Sequence, residues 1–173
     1  MKGIITAIFI TCISLNIFAK NIDNQRFEKD STPILLTFEQ LKPYLTTQSD
    51  SVFIINFWAT WCAPCVAELP YFEKLTADLK VKKAKVILVS LDFKSQIQTK
   101  LLPFLKKKKL QSEVVVLIEN NPNAWIPKVN EEWSGSIPAT LIFDKNQRQF
   151  YEESFEKYED LKKILERFNY LNN

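Results

Sequence analysis

Cys62 and Cys65 are the only cysteines beyond residue 12, and Ala63 and Pro64 stand between them. The pair falls in NFWATWCAPCVAELP, residues 56–70, where a β-branched apolar run gives way to apolar residues at helical spacing. A strand-to-helix switch there puts Cys62 at a helix N-terminus. The unsatisfied N–H groups and positive dipole end of a helix start favour a thiolate and lower a cysteine's pKa. Pro64 fits a first helical turn, where no N–H is needed. Cys65 lies one turn further in, close enough to bond Cys62 and better protected. One exposed, acidic sulfur and one recessed sulfur suit reversible thiol–disulfide exchange. The first attacks a target disulfide, and the second resolves the mixed disulfide.

Other uses of two cysteines fit less well. A purely structural bridge over so short a loop adds little stability. Zinc takes about four ligands, which two cysteines cannot supply unless carboxylates join. The chain has no histidine. That excludes Ser-His-Asp and Cys-His catalysis, imidazole metal ligation and haem held by a histidine. Glycine occurs only at Gly3 and Gly135, so no Gly-rich phosphate cradle exists. The net charge of +3 is mild and the lysines are dispersed. No aromatic-interleaved basic stripe suggests nucleic acid. No organic cofactor or metal is expected.

The elements that must position the pair can be read outward from it. Ser51–Trp58 reads as a buried strand, and Ala63–Leu79 as a helix with Val66, Leu69, Phe72, Leu75 and Leu79 on one side, bent at Pro70. Val86–Leu91 is a second strand, Ser95–Lys107 a helix interrupted near Pro103, and Val114–Ile118 a third strand. Residues 120–132 read as a loop with a helical turn. Thr140–Phe143, a turn at 144–147 and Arg148–Tyr151 form a hairpin, and Glu159–Phe168 closes the chain as a helix. Upstream, Thr37-Phe38-Glu39-Gln40 opens a short helix to Leu45. Alternating strands and helices followed by a hairpin imply an α/β fold with a mixed sheet.

Residues 1–19 read as an export signal: Lys2, an apolar stretch from Ile4 to Phe18, and Ala19 before the cut. Ile17 is bulky where a small residue is usual, so a retained short anchor is the alternative. Residues 20–34 form a polar tether and 35–173 the folded domain. Removing the signal removes Cys12 and leaves Cys62 and Cys65 alone in an oxidising compartment.

The segment Asn56-Phe57-Trp58-Ala59-Thr60-Trp61-Cys62-Ala63-Pro64-Cys65, with Glu68, Pro70 and the later Ile137-Pro138-Ala139-Thr140, resembles the active site of the thioredoxin superfamily. More narrowly it resembles the exported TlpA/ResA-type thiol:disulfide oxidoreductases, some of which serve cytochrome c maturation. The resemblance covers about residues 35–170. It implies a thioredoxin-like fold, a central mixed sheet flanked by helices, with an N-terminal extension and a central insert at 95–118. It implies Cys62 as nucleophile, Cys65 as resolving thiol and Glu68 as the carboxylate that takes the Cys65 proton. Pro138 matches the fold's cis-proline, and Trp61, Ala63, Pro64, Ile137 and Pro138 would receive the substrate. Partners would be disulfide-bearing proteins and a membrane thiol electron donor, in a bacterial periplasm or at the outer face of the cytoplasmic membrane.

Three residues carry readings of their own. Asn56 cannot accept a proton and reads as a buried, satisfied amide. Gly135 is expected in a backbone conformation that other residues resist. Trp133 is expected to join Trp61 as an apolar wall of the groove. An oxidase or isomerase would use the same residues, and a non-catalytic assembly chaperone would use only the groove. A thiol peroxidase is disfavoured, since no Pro-x-x-x-Thr-x-x-Cys surrounds Cys62.

Overall fold

In a computed structural model of the chain, residues 33–46, 51–78 and 84–168 are described. They lie within one compact unit, Pro33–Asn173. The export signal, most of the tether and Leu79 fall outside the described residues. Six strands form one sheet: β1 (Ile34–Leu36), β2 (Val52–Trp58), β3 (Ala84–Ser90), β4 (Glu113–Leu117), β5 (Ala139–Phe143) and β6 (Arg148–Tyr151). Their order is β1-β4-β3-β2-β5-β6. The first four run parallel, whereas β5 is antiparallel to β2 and β6 to β5. The fold is the thioredoxin-like mixed sheet expected, with an added helix and β4 in the stretch expected as an insert.

Period-two alternation explains how the sheet is covered on both faces. Ile54 and Trp58 of β2, Val86 and Leu88 of β3 and Ile142 of β5 point to one apolar cluster. There they meet α2 (Ala63–Asp78), α3 (Leu102–Lys108) and α5 (Tyr158–Arg167). Ile55, Phe57, Ile87, Val89 and Leu141 point the other way, onto α1 (Phe38–Thr46) and α4 (Pro122–Val129). β2 is therefore buried on both faces, and the residues that follow it are held by the centre of the molecule.

Several elements differ from expectation. Ile34, expected in the tether, is the first residue of β1, a strand beyond those expected. Residues 120–132, expected as a loop with a helical turn, carry a two-turn helix, α4. The segment before α3 is not regular helix. It runs through a 3₁₀ turn at Lys94–Gln96 and a π turn at Ile97–Leu101, where the N–H of Leu102 bonds the carbonyl of Ile97. That wider turn leads directly into Pro103, which has no N–H to continue an α register. α2 passes through Pro70 without ending. At the start of α1, half of the expected capping box forms: the N–H of Thr37 donates to Gln40 Oε1 at 2.9 Å.

Candidate active site

Cys62 and Cys65 are joined in a disulfide at the start of α2, with Cα atoms 5.3 Å apart. Cys62 occupies the cap position: its carbonyl accepts from the N–H of Val66 at 3.0 Å. The cap acceptor itself is sulfur. The N–H of Cys65 points at Cys62 Sγ from 3.3 Å, as a serine or aspartate oxygen would be met in an ordinary cap. The same N–H is in place to stabilise a Cys62 thiolate once the bond is reduced. Cys65 is wholly buried and Cys62 is 6% exposed. Cys62 is thus the reachable sulfur, but through a narrow window rather than on an open surface, because the turn carrying Ile137 packs against it.

Asp92 fixes the approach to Cys62, and the sequence reading missed it. It is buried just past β3. Its carboxylate accepts from the N–H of Thr60 at 3.1 and 3.2 Å, from the Thr60 hydroxyl, and from Ser90 Oγ at 2.9 Å. Residue 60, two before the nucleophile, is thereby tied to the neighbouring strand. An acidic residue at the carboxyl end of a buried parallel strand was the available signal. Asp92→Ala leaves the Thr60 N–H without its acceptor. Denaturant unfolding should show a loss of about 1–3 kcal/mol. An unchanged midpoint would mean the brace is dispensable.

The facing wall is the turn 133–138. The Ile137–Pro138 bond is cis, and the Ile137 carbonyl oxygen lies 3.6 Å from Cys62 Sγ. Pro138 is buried and Ile137 half-buried. Gly135 has φ +95°, as its reading required. An added Cβ would also lie 3.2 Å from Ile126 Cδ1. Gly135→Ala should therefore cost about 1–2 kcal/mol, read as a lowered Tm; an equal or higher Tm would contradict the need for this conformation. Glu152 braces the turn from β6's end, accepting from the N–H groups of Ser134 and Ser136, each at 3.0 Å, and from the Ser134 hydroxyl. Slight burial acts to raise the Glu152 pKa, but these hydrogen bonds outweigh it and hold the carboxyl below its ordinary value.

Trp133 does not line the groove. It is buried beneath the turn, against Phe57, Trp125 and Phe150. Its Nε1–H donates to the Ser136 carbonyl at 2.8 Å, so it supports the turn from inside. The aromatic surface beside the disulfide is instead Trp61 and Phe93, 52% and 60% exposed, with ring centres 6.1 Å apart. Ala63 and Pro64 are exposed on the same rim. No local pattern in the sequence marks Phe93, because its place beside Trp61 depends on the loop after β3.

Behind the disulfide, Glu68 of α2 is wholly buried. Burial pushes its carboxyl up to about 7, against hydrogen bonds from Phe155 N–H, Asn56 and Ser154. Asn56 Nδ2 donates to Glu68 Oε1 at 2.9 Å and to Thr140 Oγ1 at 3.0 Å. Asn56 is therefore a buried amide that holds a carboxylate. It is not fully satisfied, since its Oδ1 has no partner among the described residues. Of the expected residues, Trp61, Ala63 and Pro64 flank the disulfide in the chain, Ile137 faces Cys62 from the cis-Pro138 turn, and Glu68 lies one turn beyond Cys65 on α2. Among the described residues no group of three or more His, Cys, Asp or Glu could hold a metal, and no helix is long and apolar enough to cross a membrane.

Residues 36–148 match the AhpC/TSA family. The thiol-disulfide oxidoreductase ResA of Oceanobacillus iheyensis is 54% identical over 39 residues, 22% of this chain and 20% of that protein. The ResA of Bacillus cereus is 36% identical over 92 residues, 53% of this chain and 48% of that one. The chain spans about half or less of these two curated relatives. In structure it is similar to a thioredoxin-related protein from Neisseria meningitidis serogroup B, with a TM-score of 0.57 and 23% identity over 72% of this chain and 88% of that one.

Proposed function

We propose, from the premise that this chain belongs to the AhpC/TSA family within the thioredoxin superfamily, that it is a ResA-like thiol–disulfide oxidoreductase reducing disulfides in exported proteins. The observation that carries the reading is the Cys62–Cys65 disulfide, with its outer sulfur capping α2 and facing the cis-Pro138 turn. In the dithiol form, the Cys62 thiolate attacks a client disulfide and joins one client sulfur, and the other client sulfur leaves as a thiolate. Cys65 gives its proton to Glu68 and attacks Cys62 Sγ. The internal disulfide closes and the second client thiolate departs. Two electrons pass from the Cys62–Cys65 dithiol to the client, whose thiolates take up two protons. The Trp61–Phe93 surface and the exposed Ala63–Pro64 rim receive the client chain, and the Ile137–Pro138 backbone aligns it beside Cys62.

Export rests on the signal-like residues 1–19 and on the pair's suitability for an oxidising compartment. Re-reduction by a membrane thiol donor and service to cytochrome c maturation rest on the TlpA/ResA resemblance. The direction is tested by assaying the purified protein both ways in a glutathione buffer. A reductase accelerates reduction of insulin disulfides. Acceleration only of disulfide formation in a reduced protein would make the chain an oxidase or isomerase.

A further inference from the structure

Glu68 is wholly buried, so a proton taken from Cys65 cannot pass straight to water. Three groups are bonded to its carboxyl: Asn56 Nδ2 on Oε1, and the N–H of Phe155 at 2.9 Å with Ser154 Oγ at 3.4 Å on Oε2. Amide N–H groups only donate. A hydroxyl donates and accepts, so it alone of the three can take a proton on one side and release one on the other. Ser154 is also half-exposed, in the segment between β6 and α5. Its contact, at 3.4 Å, is long for an O–H···O bond.

The geometry points to Ser154 as the positioning residue that links buried Glu68 to water and carries its proton out after each turnover. This rests on the reading of Glu68 as the acceptor of the Cys65 proton. With Glu68 ionised, Ser154 O–H donates to Oε2. With Glu68 protonated, Oε2–H donates to Ser154 Oγ; on release the Oε2 proton moves onto Ser154 Oγ as the Ser154 hydroxyl proton passes to water, which leaves Glu68 ionised and the hydroxyl neutral. Both states keep the Asn56 and Phe155 bonds, so the carboxyl changes charge without breaking its other contacts. Among the described residues no ionisable group is bonded to this carboxyl. Asn56 of β2, and Thr140 of β5 behind it, are neutral. On the same segment Glu152 is engaged with Ser134 and Ser136 and Glu153 is exposed. From α5, the Tyr158 hydroxyl donates to Asp78. Cys65 is the thiol on Glu68's own helix.

The test is stopped-flow oxidation of the dithiol protein by glutathione disulfide, followed by tryptophan fluorescence from about pH 5 to about pH 9. The first phase is attack by Cys62 and the second is resolution by Cys65. Ser154→Ala should slow the second phase about tenfold near neutral pH and alter its pH profile, and Ser154→Thr should restore both. A second phase unchanged in Ser154→Ala but slowed in Glu68→Gln would overturn the Ser154 link and leave Glu68 standing. A slowed Ser154→Ala that threonine does not rescue would also overturn it, as a structural loss. An unchanged second phase in Glu68→Gln would remove both.

Discussion

Cys62→Ser is expected to bring disulfide exchange down to the uncatalysed level, a loss of at least about a thousandfold. A serine hydroxyl is not ionised by a helix N-terminus near neutral pH, so the capping geometry that favours a Cys62 thiolate gives it no comparable nucleophile. Cys65→Ser should behave differently. Cys62 keeps its Sγ at the helix start, 3.6 Å from the Ile137 carbonyl, and still attacks. The mixed disulfide then accumulates because no recessed sulfur resolves it. Turnover with insulin, together with mass spectrometry of the protein–substrate adduct, separates the two variants. Adducts on Cys62 in Cys65→Ser and none in Cys62→Ser are the expected pattern. Full activity in Cys62→Ser would reassign the nucleophile, and client binding retained there without catalysis beforehand would recast the chain as a binding module.

The second large effect is on stability against pH. Burial raises Glu68 from 4.5 to about 7. Between those values the folded protein holds a proton that the unfolded chain has released. The folded state then binds more protons, so stability falls as pH rises. The favourable contribution is complete below about pH 4.5 and is lost once pH passes about 7. A shift of that size corresponds to roughly 3 kcal/mol. Glu68→Gln removes the titration. In the oxidised protein, where neither cysteine titrates, the variant should therefore gain on the wild type by roughly 3 kcal/mol between about pH 4 and about pH 9. The constant offset from the altered hydrogen bonds to Asn56 and Phe155 drops out of that difference. Denaturant unfolding at several pH values measures it. Parallel curves for the two proteins would mean that Glu68 is ionised normally despite its burial.

The redox pair and its frame were legible in the sequence because their signals are local. The apolar run of β2, the helical spacing after Cys62 and the Ile-Pro-Ala-Thr before β5 each announce themselves within about ten residues. What was not legible depends on partners far along the chain. β1 is three residues, Ile34–Leu36, at a sheet edge, and two of them are exposed, so no burial pattern marks it. α4 carries Pro122 and Pro127, which read as loop, although Trp125 and Val129 pack one of its faces into the core. Asp92 follows a buried strand, but its partner Thr60 is 32 residues away, and Glu152 looks like an ordinary surface acid until the fold brings Ser134 and Ser136 to it. Trp133 was placed in the groove for the same reason: its burial is set by Phe57 and Phe150, on two separate strands.

The most direct measurement is the reduction potential of the Cys62–Cys65 pair, obtained by equilibrating the protein with glutathione or dithiothreitol buffers and counting free thiols by alkylation. A reversible two-electron couple near or below about −230 mV, on the thioredoxin side of the scale, is expected for a reductase. A value between about −180 and about −120 mV, where isomerases and oxidants sit, would contradict the direction of electron flow and make disulfide formation or shuffling the function of the same two sulfurs.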